Sequence, residues 1–165
     1  MGQLLRALIV EDSEDDLLLL VRQSRLGGFD PQYQRVESGP AMRAALEHGS
    51  WEIVISDYIL PQFSGLAALG LLRQVDPDLP FIMVSGKFGE EAAVEAMRRG
   101  AQDYLVKDSL SRLAPAVRRE LSEAETRHQR RLAEDALRLA LEERARLAAA
   151  VESTVEAVVI SNPQG

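Results

Sequence analysis

Short apolar runs alternate with longer amphipathic stretches along the first two thirds of the chain. Four runs are compact and apolar, at residues 7–10, 53–55, 81–84 and 104–106. Such runs, most of them here rich in β-branched residues, are typical of strands buried on both faces of a parallel sheet. Residues 32–36 are more polar and alternate in character, which predicts a strand at the edge of that sheet.

Helix caps and stops lie in the stretches between the predicted strands. Ser13 and Asp16 form a capping pattern before an apolar periodicity that ends at Gly27 and Gly28. Five β–α units in series predict an α/β fold with an open, doubly wound parallel sheet and right-handed crossovers. The later helices are predicted to begin at Ser38, Ser64, Glu90 and Ser109, and the first three of these to end at Gly49, Asp76 and Gly100.

The pattern changes after residue 110. Residues 112–152 contain no glycine, and their only proline, Pro115, falls in the first turns, which predicts one helix of about forty residues. That length exceeds what a crossover helix needs, so we expect the helix to project beyond the domain. Residues 155–160 are predicted to form a strand, followed by a turn at Asn162 and Pro163. The helix has an apolar stripe with polar positions at His128 and Glu143, formed by Leu113, Val117, Leu121, Ala124, Leu132, Ala136, Leu139 and Leu147.

Composition and charge exclude several classes of protein. The absence of cysteine excludes disulfides, zinc–thiolate sites and cysteine nucleophiles. The net charge of −7 arises entirely in residues 1–111, with 17 acids against 10 bases, and offers no basic surface for nucleic acid. No apolar run approaches membrane-spanning length and no leader precedes the first strand, so we expect a cytoplasmic protein that binds neither nucleic acid nor membrane.

Polar side chains follow four of the five predicted strands. Glu11 and Asp12 follow the first, Asp57 the third, Ser85 the fourth and Lys107 the fifth. Each alone has a structural alternative, such as capping a helix or a loop. Because the carboxyl ends of parallel strands lie side by side, their joint occurrence favours one shared cleft.

Glu14, Asp15 and Asp16 fall in the first turn of the first helix, where acids complement the helix dipole. We therefore interpret these three as structural.

The clustered acids predict a metal site and a phosphoryl acceptor. Neighbouring carboxylates repel one another unless a cation lies among them. Oxygen ligands without nearby His or Cys favour Mg²⁺, Mn²⁺ or Ca²⁺. An ion held by Asp12 and Asp57 would leave positions for a phosphoryl oxygen, while Lys107 and Ser85 would contact the other two. A carboxylate nucleophile could then form an acyl phosphate.

Four segments resemble the response-regulator receiver domain, in order and at its spacing: LIVED at 8–12, ISDYILP at 55–61, VSG at 84–86 and GAQDYLVK at 100–107. The resemblance covers about residues 4–121. It implies a flavodoxin-like sheet of order 2-1-3-4-5 and a histidine kinase or phosphotransfer protein as phosphoryl donor. The only catalysis it implies for this fragment is its own phosphorylation.

The resemblance also implies roles for single residues. Asp57 would be the phosphoacceptor, and Mg²⁺ (or Mn²⁺) would be bound by Glu11, Asp12, Asp57 and the main-chain carbonyl of Ile59. Ser85 and Tyr104 would be the switch pair. An aliphatic Ile59, which flanks the site as Lys87 does, implies slow self-dephosphorylation. The chain departs from the family at Asp108, where a proline after a cis peptide is usual, so the Lys107–Asp108 bond is open to either isomer.

The tail from Leu132 to Gly165 resembles the connector into a PAS sensory domain. We expect a receiver domain at residues 1–121, a helical coiled-coil linker at 122–152 and the start of a PAS-like domain at 153–165. The output implied for a longer protein is a histidine kinase or a GGDEF diguanylate cyclase. The exposed stripe of the long helix predicts a homodimer.

Two other functions fit parts of the pattern. A pseudo-receiver would use the same fold only for docking, but it would be expected to lose some of the acids, Ser85 or Lys107. A Mg²⁺-dependent phosphohydrolase commonly has a second aspartate two positions after the nucleophile, where Ile59 stands here. A phosphorylation switch is therefore the favoured interpretation.

Overall fold

Five parallel strands form one sheet in the computed structural model, which describes residues 2–87 and 89–161, with side chains as far as residue 156. The order is β2-β1-β3-β4-β5, which confirms the predicted flavodoxin-like topology. Pro31 lies in the edge strand, where a missing N–H costs no ladder bond on the open side. The strands are β1 (Gln3–Val10), β2 (Phe29–Val36), β3 (Ile53–Asp57), β4 (Phe81–Ser85) and β5 (Asp103–Val106).

Serine side chains cap three of the helices as predicted. Ser13 Oγ accepts a hydrogen bond from the Asp16 N–H at 3.3 Å, and Ser38 and Ser64 make the equivalent bonds. Ser109 lies at a kink with non-helical backbone angles (φ −125°, ψ 38°), and the fifth helix begins later, at Leu113, so the prediction that Ser109 caps it is wrong. The helices are α1 (Glu14–Leu26), α2 (Gly39–His48), α3 (Gly65–Val75), α4 (Glu90–Arg98), the 3₁₀ helix (Lys107–Arg112) and α5 (Leu113–Ser161).

Both faces of the sheet are buried because side chains alternate along each strand. Leu5, Ala7 and Ile9 of β1 belong to one apolar cluster, whereas Leu8 and Val10 belong to the other. The first cluster is covered by α1 and the first turns of α5, through Leu17, Leu20, Val21, Leu113 and Val117. The second is covered by α2, α3 and α4, through Met42, Ala45, Leu69, Leu72 and Ala96.

The long C-terminal helix is present, but it extends further than the sequence predicts. Residues 155–160 continue α5, so the strand predicted there is wrong. A helix satisfies its backbone hydrogen bonds within the segment, whereas a strand needs a neighbouring strand. The predicted turn at Asn162 and Pro163 lies outside the described residues.

The chain divides into two compact units, Met1–Ala124 and Glu125–Gly165. In the second unit Leu132 and Leu139 are 50% and 57% exposed. No helix in the described part of the chain is long and apolar enough to cross a membrane. The predicted division at residues 121 and 152, and a PAS-like segment after it, remain predictions.

Candidate functional site

The predicted polar residues meet at the carboxyl ends of the strands. Asp57 and Ser85 are the last residues of β3 and β4, Glu11 directly follows β1, and Lys107 directly follows β5. The strand register places Asp57 beside Val84 and so brings β3 and β4 to the same edge. The parallel sheet therefore gathers side chains that lie up to about a hundred positions apart in the sequence.

Lys107 forms ion pairs with three carboxylates. Its Nζ lies 3.1 Å from Asp57 Oδ2 and 3.3 Å from Glu11 Oε2. The shortest of the three contacts is to Asp16 Oδ2, at 2.6 Å. Only 16% of the lysine side chain is exposed, so the ammonium depends on these partners for the hydrogen bonds that water would otherwise supply.

The sequence indicates only a structural first-turn role for Asp16, whereas the structure adds a contact with Lys107. Its N–H does take part in the helix cap, so the structural role is also present. A signal existed in the sequence, because α1 begins at the carboxyl end of β1. An acid in its first turn therefore starts close to the cleft.

Glu11, Asp12 and Asp57 form a cluster that could hold a metal ion. One carboxylate oxygen from each residue lies within 4.8 Å of the others. Asp12 is exposed, whereas Glu11 is fully buried and Asp57 is only 8% exposed. A donor set of oxygens alone suits a hard cation such as Mg²⁺.

The negative charge of the buried Glu11 carboxylate is only partly compensated by its neighbours. Its Oε1 accepts a hydrogen bond from the Ser13 N–H at 3.1 Å, but its Oε2 has no hydrogen bond, since Lys107 at 3.3 Å does not meet it with hydrogen-bond geometry. Burial raises the pKa of Glu11 to about 7, and the Asp57 charge adds to the rise, although the Ser13 N–H and Lys107 oppose it. A divalent cation would favour the ionised carboxylate that burial disfavours.

The pKa of Lys107 is shifted upward. Burial on its own lowers that pKa, but Asp16, Glu11 and Asp57 together outweigh burial and raise it above its ordinary value. The ammonium therefore stays charged near neutral pH.

The two predicted switch residues are both buried beside the cleft. The Ser85 hydroxyl donates to the Lys87 carbonyl at 2.9 Å. Tyr104 is 8% exposed, and its ring packs edge-to-face on Tyr58 with the ring centroids 6.3 Å apart. Neither contact by itself tests a switching role, which stays a prediction.

Two loop predictions have different outcomes. Ile59, two positions after Asp57, is 73% exposed, and the predicted metal-binding role of its carbonyl stays untested. The Lys107–Asp108 peptide, which the sequence left open, is trans. Lys107 reaches Asp57 in this geometry.

The chain is similar in sequence to known proteins. Response regulator protein FleR of Pseudomonas aeruginosa is 37% identical over 102 residues, covering 62% of this chain and 21% of FleR. Transcriptional regulatory protein PrrA of Mycobacterium tuberculosis is 35% identical over 102 residues, covering 62% of this chain and 43% of PrrA. The chain thus spans less than half the length of these relatives.

Solved structures show the same fold. The crystal structure of NtrX from Brucella abortus in complex with ADP superposes with a TM-score of 0.68 at 27% identity, covering 78% of this chain and 29% of that one. The model of the family described as response regulator receiver domain matches residues 7–118, which is more than half of the sequence. The chain therefore belongs to the response regulator receiver domain family.

Proposed function

We propose that Asp57 accepts a phosphoryl group from a histidine kinase or a phosphotransfer protein, and that this modification controls an output attached to the C-terminal helix. The observation that carries the proposal is the Lys107 ammonium 3.1 Å from Asp57 Oδ2, beside an acidic cluster at the edge of a receiver sheet. Receiver domains of response regulators are phosphorylated by histidine kinases.

The transfer requires little covalent chemistry from the protein. An oxygen of the Asp57 carboxylate bonds to phosphorus while the P–N bond of a donor phosphohistidine breaks, and the electron pair of that bond leaves with the imidazole nitrogen. Positioning and charge neutralisation provide the catalysis. Lys107 neutralises one phosphoryl oxygen.

Receiver domains bind Mg²⁺ at an acidic pocket, and Glu11, Asp12 and Asp57 form such a pocket here. The Oε2 of Glu11 supports this assignment, because it is buried and pairs with Lys107 without a hydrogen bond, which leaves its charge only partly compensated. Mg²⁺ or Mn²⁺ would supply positive charge to a phosphoryl oxygen, and the Ile59 carbonyl is the proposed main-chain ligand.

Ser85 and Tyr104 are the proposed route from the site to the rest of the domain. Binding of the Ser85 hydroxyl to a phosphoryl oxygen would replace its bond to the Lys87 carbonyl. Tyr104 is already buried beside Tyr58, so the proposed switch would hold its ring in this inward position rather than bring it there. Asp103, the neighbour of Tyr104 in β5, pairs with Arg119 of α5 at 2.8 Å, which links the switch strand to the output helix.

The proposed output path continues along α5 as a parallel two-stranded coiled coil between two copies of the chain. Exposed leucines such as Leu132 and Leu139 support it, because a stripe of half-exposed leucines on a long helix calls for a partner. Light scattering should find a dimer that Leu132→Asp or Leu139→Asp weakens. A monomeric full chain, or an equally strong dimer from residues 1–124, would remove the coiled coil.

Intact-mass spectrometry with acetyl phosphate and Mg²⁺ tests the acceptor. We expect one added phosphoryl group per chain, which Asp57→Asn or a chelator abolishes. Asp108→Asn is the matched control, because Asp108 is an exposed carboxylate next to Lys107 and should leave labelling intact. A chain that stays unlabelled would instead favour a pseudo-receiver, and labelling that persists in Asp57→Asn would place the acceptor elsewhere.

A further inference from the structure

Asp16 makes the shortest ion pair at the site, although it lies outside the acidic cluster of Glu11, Asp12 and Asp57. Its Oδ2 accepts a hydrogen bond from Lys107 Nζ at 2.6 Å, and Asp57 Oδ2 accepts a second at 3.1 Å. A lysine ammonium has three N–H donors. One of the two cleft-facing hydrogen bonds of Lys107 is therefore made to a residue that neither binds the proposed metal nor accepts the phosphoryl group.

We propose that Asp16 is a positioning residue that holds the Lys107 ammonium in place and sets the relative affinities of the site for its cation and for its phosphoryl group. The carboxylate restrains the ammonium and offsets part of the positive charge that a phosphoryl oxygen would otherwise meet. The inference rests on the proposed function, since it concerns how Lys107 is shared in that reaction.

The local structure anchors Asp16 where this contact requires it. Its N–H donates to Ser13 Oγ, which fixes the first turn of α1 beside the cleft. About a third of its side chain is exposed, whereas Lys107 is mostly buried. The contact joins α1 to the segment after β5, positions 91 apart in sequence, so it depends on the packing of the domain.

Charge gives Asp16 opposite effects on the two ligands. A divalent cation is attracted by the negative charge of the carboxylate. An anionic phosphoryl group is repelled by that charge, and it also competes with Asp16 for the Lys107 protons. Asp16→Asn keeps the shape and an acceptor oxygen but removes the charge, so it should weaken the binding of Mg²⁺ and strengthen that of a phosphoryl analogue.

Isothermal titration calorimetry on the full chain separates the two effects. MgCl₂ is titrated into the metal-free protein, and beryllofluoride is then titrated at saturating Mg²⁺. For Asp16→Asn we expect Mg²⁺ affinity to fall about three- to tenfold and beryllofluoride affinity to rise by a similar factor, the scale of one partly exposed charge-assisted hydrogen bond. Asp16→Glu should return both affinities toward wild type.

Asp15→Asn is the matched control. Asp15 is an exposed acid in the same helical turn, and its substitution changes the net charge equally. The proposal is overturned if Asp16→Asn and Asp15→Asn behave alike, or if Asp16→Asn weakens both ligands as a merely structural lesion would. A wild-type chain that binds Mg²⁺ but not beryllofluoride would instead refute the proposed function, and the role of Asp16 with it.

Discussion

Glu11 should make the metal-free protein less stable as the pH rises. Its side chain is fully buried, and burial, with the Asp57 charge, raises its pKa from 4.5 to about 7. In that pH range the folded protein therefore holds a proton on Glu11 that the unfolded chain has released. The free energy of unfolding falls with rising pH wherever the folded state binds more protons than the unfolded chain. The contribution of Glu11 is therefore fully present below about pH 4.5 and is lost as the pH rises through about 7.

The size of the effect follows from the shift. Each pKa unit corresponds to about 1.4 kcal/mol, so a group that titrates near 4.5 when unfolded and near 7 when folded changes the free energy of unfolding by about 2–3 kcal/mol between about pH 5 and pH 8. Glu11→Gln cannot ionise and should lose that part of the pH dependence. Saturating Mg²⁺ should also reduce the slope in wild type, because the proposed site binds the ionised carboxylates.

Urea unfolding with a chelator present, followed by tryptophan fluorescence and circular dichroism, measures the free energy at each pH. The control is Asp12→Asn, which removes an exposed acid from the same loop and leaves Glu11 buried, so the wild-type slope should persist. Equal slopes in wild type and Glu11→Gln would refute the reasoning, because other titrating groups would then account for the whole pH dependence.

Four further substitutions test other parts of the domain. Gly65→Ala should cost about 1–3 kcal/mol in urea unfolding, since a Cβ there would lie 2.5 Å from the Asp57 carbonyl oxygen, whereas Gly70→Ala in the same helix meets no neighbour and should gain up to about 1 kcal/mol. Ile59→Asn should shorten the phosphoryl lifetime seen by mass spectrometry, because an amide can orient an attacking water; an unchanged or slower decay would contradict this. Arg73→Met should cost about 2–3 kcal/mol, because the guanidinium donates hydrogen bonds to three main-chain carbonyls and a glutamine side chain; a neutral result would mean that water replaces it.

The amino-acid sequence alone was sufficient for the sheet and for most of the site. The strands at 53–55 and 81–84 are buried on both faces. Such strands require apolar residues at every position, and that requirement is visible in the sequence before any packing is known. The proximity of Asp57 and Lys107 was predictable, because the carboxyl ends of parallel strands lie at one edge of the sheet. The serine caps at Ser13, Ser38 and Ser64 were also predictable, since each cap is a local bond within a few residues.

Side-chain partners and the course of the helix end depended on tertiary structure. Residues 155–160 read as a strand because short β-branched runs suit either element, and their helical state is visible only in the continuous α5. Asp16 and Lys107 lie 91 positions apart, so no local pattern could show that this acid approaches the ammonium more closely than Asp57 does. The sequence determines which side chains reach an edge of the sheet, because the local pattern of apolar and polar residues indicates where each strand lies and which strands are buried. Which of those groups touch depends on helix packing and side-chain rotamers, which only the folded domain sets.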